Sequence, residues 1–271
     1  MKTIQTLKDV LTMSGRCLLL SKRNPDTILT SIIAPILTML LFAYVIGGAM
    51  QTGETSYVNF IVPGIILQCL GQCAATTAIA VCSDIKSGIM ERFCTMPVKR
   101  SSILNGHVRE AFIRNMVTAL LILLVAFLIG FRPEADLLGW CAALLIISLY
   151  ILTLSWISVY FGMIANSPEG AGSFSILAIA LPCISSGFVP IDTMPKALQI
   201  FAEYQPITPV IDSLRALLLP IQPKQTRQLW QSRSLLQLKT CTLLSAILWC
   251  TVLLLLFYIL SVRAFKKKSN H

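Results

Sequence analysis

Charge is scarce in this chain: Asp, Glu, Lys and Arg make up 13% of 271 residues. The hydrophobic share is 55% and the mean hydropathy is +0.76. A soluble domain of this length needs more charge to cover its surface, so a polytopic membrane protein is indicated. Histidine is nearly absent, with only His107 and His271. His107 lies beside a basic loop and reads as a solvated residue, not a ligand. No H-E-x-x-H, G-x-S-x-G or G-x-x-x-x-G-K-[ST] occurs. The chain therefore brings no zincin site, no nucleophile elbow and no phosphate-cradling P-loop of its own. Its cysteines form no C-x-x-C pair and no metal-ligand spacing. Cys69 and Cys73 fall four apart on one helical face and read as close helix packing. The middles of the apolar runs lack Asp, Glu, Lys, Arg and His. An intramembrane enzyme or an ion-coupled carrier places ionisable groups there. Both are disfavoured, and an external energy source is implied.

The net charge of +10 does not point to nucleic acid, because the basic residues sit in short loops and tails. There they set orientation in a membrane. Residues 2–23 put Ile4, Leu7, Leu11 and Leu18 on one helical face, with Gln5, Asp9, Arg16 and Arg23 opposite. This predicts an amphipathic helix lying in the interface. The apolar run behind it is too long for a signal-peptide core. Six spans are expected, near 27–50, 58–82, 111–130, 137–164, 171–189 and 238–260. Pro35 lies inside the first, where a neighbouring helix must take the freed carbonyl. Ser167 is a fair N-cap ahead of Pro168. Fifteen Lys and Arg flank one side of these spans and seven the other, most of the seven in one long segment. Both termini are thus expected in the cytoplasm, where Cys17 and Cys94 stay reduced.

Between the fifth and sixth runs the pattern breaks. Pro190 and Pro195 forbid a continuous helix. Two short amphipathic pieces follow, near 195–203 and 209–219, each opened by a proline. Neither can cross a bilayer, which takes about 20 residues. A re-entrant hairpin over 188–219, the outer lid of a transport path, is the expectation. The same stretch carries Ser186, Gly187, Phe188 and Pro190, then Met194-Pro195, then Gln205-Pro206-x-Thr208-Pro209, then Arg215. In order and spacing it resembles the closing signature of the ATP-binding-cassette type-2 exporter permeases, nearest their daunorubicin-type branch. Gln205 stands where the family more often has Asn.

The resemblance implies an all-α fold: one permease domain over 1–271, with an interface helix, six spans and the lid. It implies that ATP and Mg are bound not here but on two cytoplasmic ATPase chains, and that a second permease copy, simplest as a homodimer, completes the path. It implies a multi-pass plasma-membrane protein, bacterial in kind, exporting an amphiphilic drug, antibiotic or lipid-like molecule. Export of a lipid-linked polysaccharide or teichoic acid is the alternative within transport. A non-transporting scaffold or immunity protein is the alternative outside it. Over 84–109 the resemblance assigns ATPase coupling to Glu91, Arg92, Met96, Pro97 and Arg100. A basic residue is commoner in the family where Cys94 stands. The plain alternative is that this is only a positive-inside loop. For the lid residues a structural role is favoured: Gly187 for a turn, the prolines as helix stops. Arg215 can snorkel or pair with Asp212 or Glu203, with substrate contact the lesser option. Trp156, Met163, Phe174 and Phe188 are candidates for lining a lipophilic route, although helix packing explains such residues more often.

Overall fold

A computed structural model describes residues 2–46, 57–90, 95, 100–189, 194–219 and 235–268. All regular structure among them is helical. The elements are α1 (Lys2–Arg23), α2 (Pro25–Ile28), α3 (Ala34–Leu41), α4 (Tyr57–Lys86), α5 (Arg100–Ile129), α6 (Leu137–Ile164), α7 (Pro168–Gly172), α8 (Phe174–Cys183), α9 (Lys196–Tyr204), α10 (Ile207–Leu218) and α11 (Leu235–Lys268). Four of the described helices are long and apolar enough to cross a membrane: Val58–Lys86, Ser102–Ile129, Leu137–Ile164 and Thr242–Phe265.

α4 is the centre. Its most apolar window is 78% buried, against 11% for α11. A helix apolar all round belongs inside, and glycine decides how close its neighbours come. A Cβ on Gly64 would sit 2.7 Å from the Gly187 carbonyl oxygen, and one on Gly71 would sit 2.6 Å from that of Ala178. A Cβ on Gly162 of α6 would sit 2.5 Å from the Ala78 carbonyl oxygen. The main core joins these helices through Ile61, Ile65, Leu70, Ile147, Ile151 and Ile211.

The first apolar segment, 25–46, is helical throughout but wound loosely at Leu29–Ile33 and Phe42–Ile46, two π-helical turns on either side of Pro35. Proline supplies no amide to the carbonyl four residues back, that of Ser31. The Thr118 hydroxyl of α5 donates to this carbonyl at 2.8 Å, and the Cys73 thiol of α4 donates at 3.8 Å. Cys69 donates likewise to the Pro35 carbonyl at 3.8 Å. The two cysteines thus face one neighbour as expected, and they also act as donors to its broken backbone.

The expected fifth span is divided. Ser167 caps α7 by accepting from the Gly170 amide at 2.9 Å, the helix re-forms as α8, and the chain turns from Ile184 onward. α8 has ten residues. At about 1.5 Å per residue it is half the depth of a hydrocarbon core. Ser185 and Gly187 make the turn, with the Gly187 amide donating to the Ser185 hydroxyl oxygen at 3.1 Å.

Candidate functional site

Two ends of the bundle concentrate polar side chains. One adjoins residues 87–99 and is called here the loop end. The other, formed by 184–219 and holding the stretch expected from the sequence to be a lid, is called here the lid end.

At the loop end α4 stops in a left-handed turn at Gly88, φ +69°. Glu91, Arg92, Met96 and Pro97 lie outside the described residues, as does the side chain of Arg100, whose backbone opens α5. What the structure does give is the footing of this segment. Met90 is buried with Val81, Ile103, Leu104, Trp156, Met163 and Phe265. α1 lies along α5 so closely that a Cβ on Gly106 would sit 2.9 Å from that of Met13. Between them Arg16 donates to both oxygens of Asp84, at 2.9 and 3.3 Å. Nε2 of His107 lies 3.3 Å from the same carboxylate, and Nδ1 lies 3.8 Å from the Cys17 sulfur. The carboxylate holds the Arg16 guanidinium above its ordinary pKa. His107 is therefore not the solvated residue expected from its place beside the basic loop: it is 4% exposed, because α1 covers that face of α5.

One turn further into α5, Glu110 and Arg114 form a second ion pair, 2.9 Å long. Arg114 also donates to the Ser31 hydroxyl at 3.1 Å, the Cys73 carbonyl at 3.2 Å and the Thr77 hydroxyl at 2.6 Å, and it bonds Thr76 as well. It ties the first apolar segment, α4 and α5 together. The apolar middles of the spans are free of charge, as read from the sequence, while this carboxylate and guanidinium lie near the loop end of Ser102–Ile129. The signal was the Glu110–Arg114 spacing of four on a helix, which places opposite charges side by side.

At the lid end Arg215 lies over the Phe60 ring, 4.0 Å from its centroid. It pairs with Asp212 at 3.3 Å and donates to the carbonyls of Ser186 and Phe60 at 2.9 and 3.2 Å. The Ser186 hydroxyl donates to Asp212 at 2.7 Å. Gln205 donates to the Ile184 carbonyl at 3.2 Å, and Thr208 to the Ala202 carbonyl at 2.6 Å. These bonds fix the α9–α10 corner, with Pro206 and Pro209, beside the end of α8. Gln199 donates to the Met194 carbonyl at 2.9 Å, ahead of exposed Pro195. Pro190 lies outside the described residues.

The four aromatic and methionine residues do not meet in one place. Trp156 and Met163 are buried at the loop end, with Trp156 edge-on to Tyr258. Phe174 stacks on Phe161 and Phe188 lies against Phe42, both in the main core. Among the described residues no three His, Cys, Asp or Glu side chains converge as a metal site.

The comparison with known proteins accords with this plan. The chain is 27% identical over 209 residues to the daunorubicin resistance ABC transporter permease protein DrrB1 of Streptomyces coeruleorubidus, covering 77% of this chain and 74% of that one. It is 28% identical over 210 residues to the probable doxorubicin resistance ABC transporter permease protein DrrC of Mycobacterium tuberculosis, covering 76% and 75%. It is 29% identical over 126 residues to the linearmycin resistance permease protein LnrN of Bacillus subtilis, covering 45% and 31%. Residues 8–219, from within α1 to the residue after α10, match the model of the ABC-2 type transporter, and this membrane protein belongs to that family.

Proposed function

We propose that this chain is the membrane-spanning permease subunit of an ATP-driven exporter, moving an amphiphilic drug, antibiotic or lipid-like molecule out of the cell. The observation that carries this reading is the unbroken family match over 8–219. The drug-resistance names of two relatives support the amphiphilic substrate class. The chain itself hydrolyses nothing. ATP and Mg belong to two separate cytoplasmic ATPase subunits, and a second copy of the permease closes the path. The exposed flank of α11 offers apolar surface for that copy or for lipid. Segments 25–46 and 168–189 count as the first and fifth of six spans, and 188–219 is the re-entrant lid. The loop end, with both termini, faces the cytoplasm of a bacterial cell.

Glu91, Arg92, Met96, Pro97 and Arg100 dock on the ATPase in this reading. A short helix seated in a groove transmits a rigid-body shift only if its base is firm. The Arg16–Asp84–His107 cluster supports such a base, since it joins α1, α4 and α5 beside the loop. Arg215 and Ser186 hold α10 of the lid to the 184–187 turn and to α4; their bonds to protein groups support a positioning role over substrate contact.

The test is co-purification of the permease in nanodiscs with the ATPases of its own genome. A P-loop ATPase is expected in about equal amount, lost or uncoupled in Glu91→Ala and Arg92→Ala. No ATPase bound under any nucleotide condition refutes the exporter reading and favours a partner-binding scaffold.

A further inference from the structure

At the loop end a cavity of about 500 Å³ opens between α1, the start of segment 25–46, α4 and α5. That volume is in the range of small-molecule sites. Its floor holds His107, Glu110 and Arg114, whose side chains keep 5%, 7% and 10% of their surface. Thr27, Thr76 and Ser83 stand along its wall. Its lip is apolar: Leu20 and Ile79 line it and are 51% and 38% exposed. The site thus joins a polar floor to a surface suited to acyl chains.

Most charge in it is already matched. Both oxygens of Asp84 accept from Arg16, and Arg114 has partners in Glu110, Ser31, Cys73, Thr76 and Thr77. Glu110 differs. Its Oε1 accepts from Nε of Arg114, while Oε2 has no hydrogen bond among the described residues. It is not sealed in protein but opens to the cavity that Glu110 lines, where a bound donor can reach it. A cationic N–H is the donor that satisfies it best. Ionisable groups at membrane depth are retained chiefly where something binds.

We infer that this cavity binds the primary ammonium head of an amphiphile, its N–H on Glu110 and its alkyl chain over Leu20 and Ile79. An aminophospholipid of the adjoining leaflet and a free alkylamine share that chemistry. The site needs neither an ATPase nor transport, so it stands or falls separately from the exporter reading.

The test uses the full-length permease alone in nanodiscs. Cys17 lines the cavity. Its alkylation by N-ethylmaleimide, read peptide by peptide by mass spectrometry, reports occupancy, and exposed Cys141 is the control. Phosphatidylcholine has no N–H in its head, whereas phosphatidylethanolamine has. In phosphatidylcholine discs, decylamine at twice its Kd should slow Cys17 alkylation about threefold without slowing Cys141. Glu110→Gln should abolish the protection. Ala80→Phe, which fills the lip and leaves the ion pair intact, should abolish it too. If phosphatidylethanolamine discs slow alkylation and decylamine adds nothing, the occupant is the lipid. If decylamine slows it equally in both discs, the occupant is the free amine. Equal rates in both discs with no effect of decylamine overturn the inference. Protection that survives Ala80→Phe and any folded Glu110→Gln protein also overturns it.

Discussion

Replacing Thr118 with Val tests how the first apolar segment is held. The two side chains are nearly the same shape, so the change removes one hydroxyl and little else. That hydroxyl donates at 2.8 Å to the Ser31 carbonyl, which Pro35 cannot serve. A hydrogen bond between membrane helices contributes about 0.6 kcal/mol on average and up to about 1.7. A buried acceptor left without a donor costs about 1–3 kcal/mol. The Cys73 thiol, 3.8 Å away, recovers part of this. The expected loss is therefore about 1–1.5 kcal/mol, in the overlap of the two ranges. Reversible unfolding in mixed micelles measures it. The decisive variant is the double mutant. Pro35→Ala restores an amide to the Ser31 carbonyl, so Thr118→Val in that background should cost less than about 0.5 kcal/mol. An equal cost in both backgrounds would show that Thr118 does not compensate Pro35, and the account of the segment would be wrong.

Gly64→Ala should lower stability by about 1–3 kcal/mol, because its Cβ meets the Gly187 backbone at 2.7 Å. Gly15→Ala, with nothing within 4 Å of its Cβ, should be neutral or stabilise α1 by up to about 1 kcal/mol. Thermal melts in detergent compare the pair, and equal behaviour refutes the close contact. Gln205→Leu loses its bonds to Ile184 and Thr208 and should cost about 1–2 kcal/mol, with earlier proteolysis within 184–219 as the local readout. Asp84→Asn leaves Arg16 and His107 without their carboxylate and should cost about 1–3 kcal/mol. Faster hydrogen exchange in α1 should accompany it, and unchanged exchange there would sink the joint.

Composition and local pattern made much of the fold legible. The 2–23 periodicity corresponds to α1, and the two proline-opened pieces correspond to α9 and α10 within two residues at each end. The Ser167 cap was legible because capping is local: donor and acceptor lie three residues apart. The divided segment 168–189 was not. Beyond Glu169 it carries no charge, and hydropathy reports solubility in lipid but not helical continuity. His107 was misjudged for a reason that its neighbours on α5 repeat. On α5, Arg109 and Arg114 look alike in sequence, yet Arg109 is exposed and Arg114 is held inside by four bonding neighbours beyond its own helix. Which flank of a helix meets water depends on the helix that comes to lie there, and periodicity within one helix does not carry that.

The glycines of α4 have a consequence for biosynthesis. Gly64 and Gly71 are shaped for the 174–187 strip, which is translated roughly a hundred residues later, on the order of five to twenty seconds afterwards at ribosomal speed. For that interval a notched, nearly side-chain-free surface faces lipid in the nascent protein. Whatever shields it during synthesis, whether lipid, insertase or an earlier helix shifted from its final seat, must leave before α8 can dock. Docking of α8 is then an exchange of partners at the middle of the molecule, not an addition at its edge.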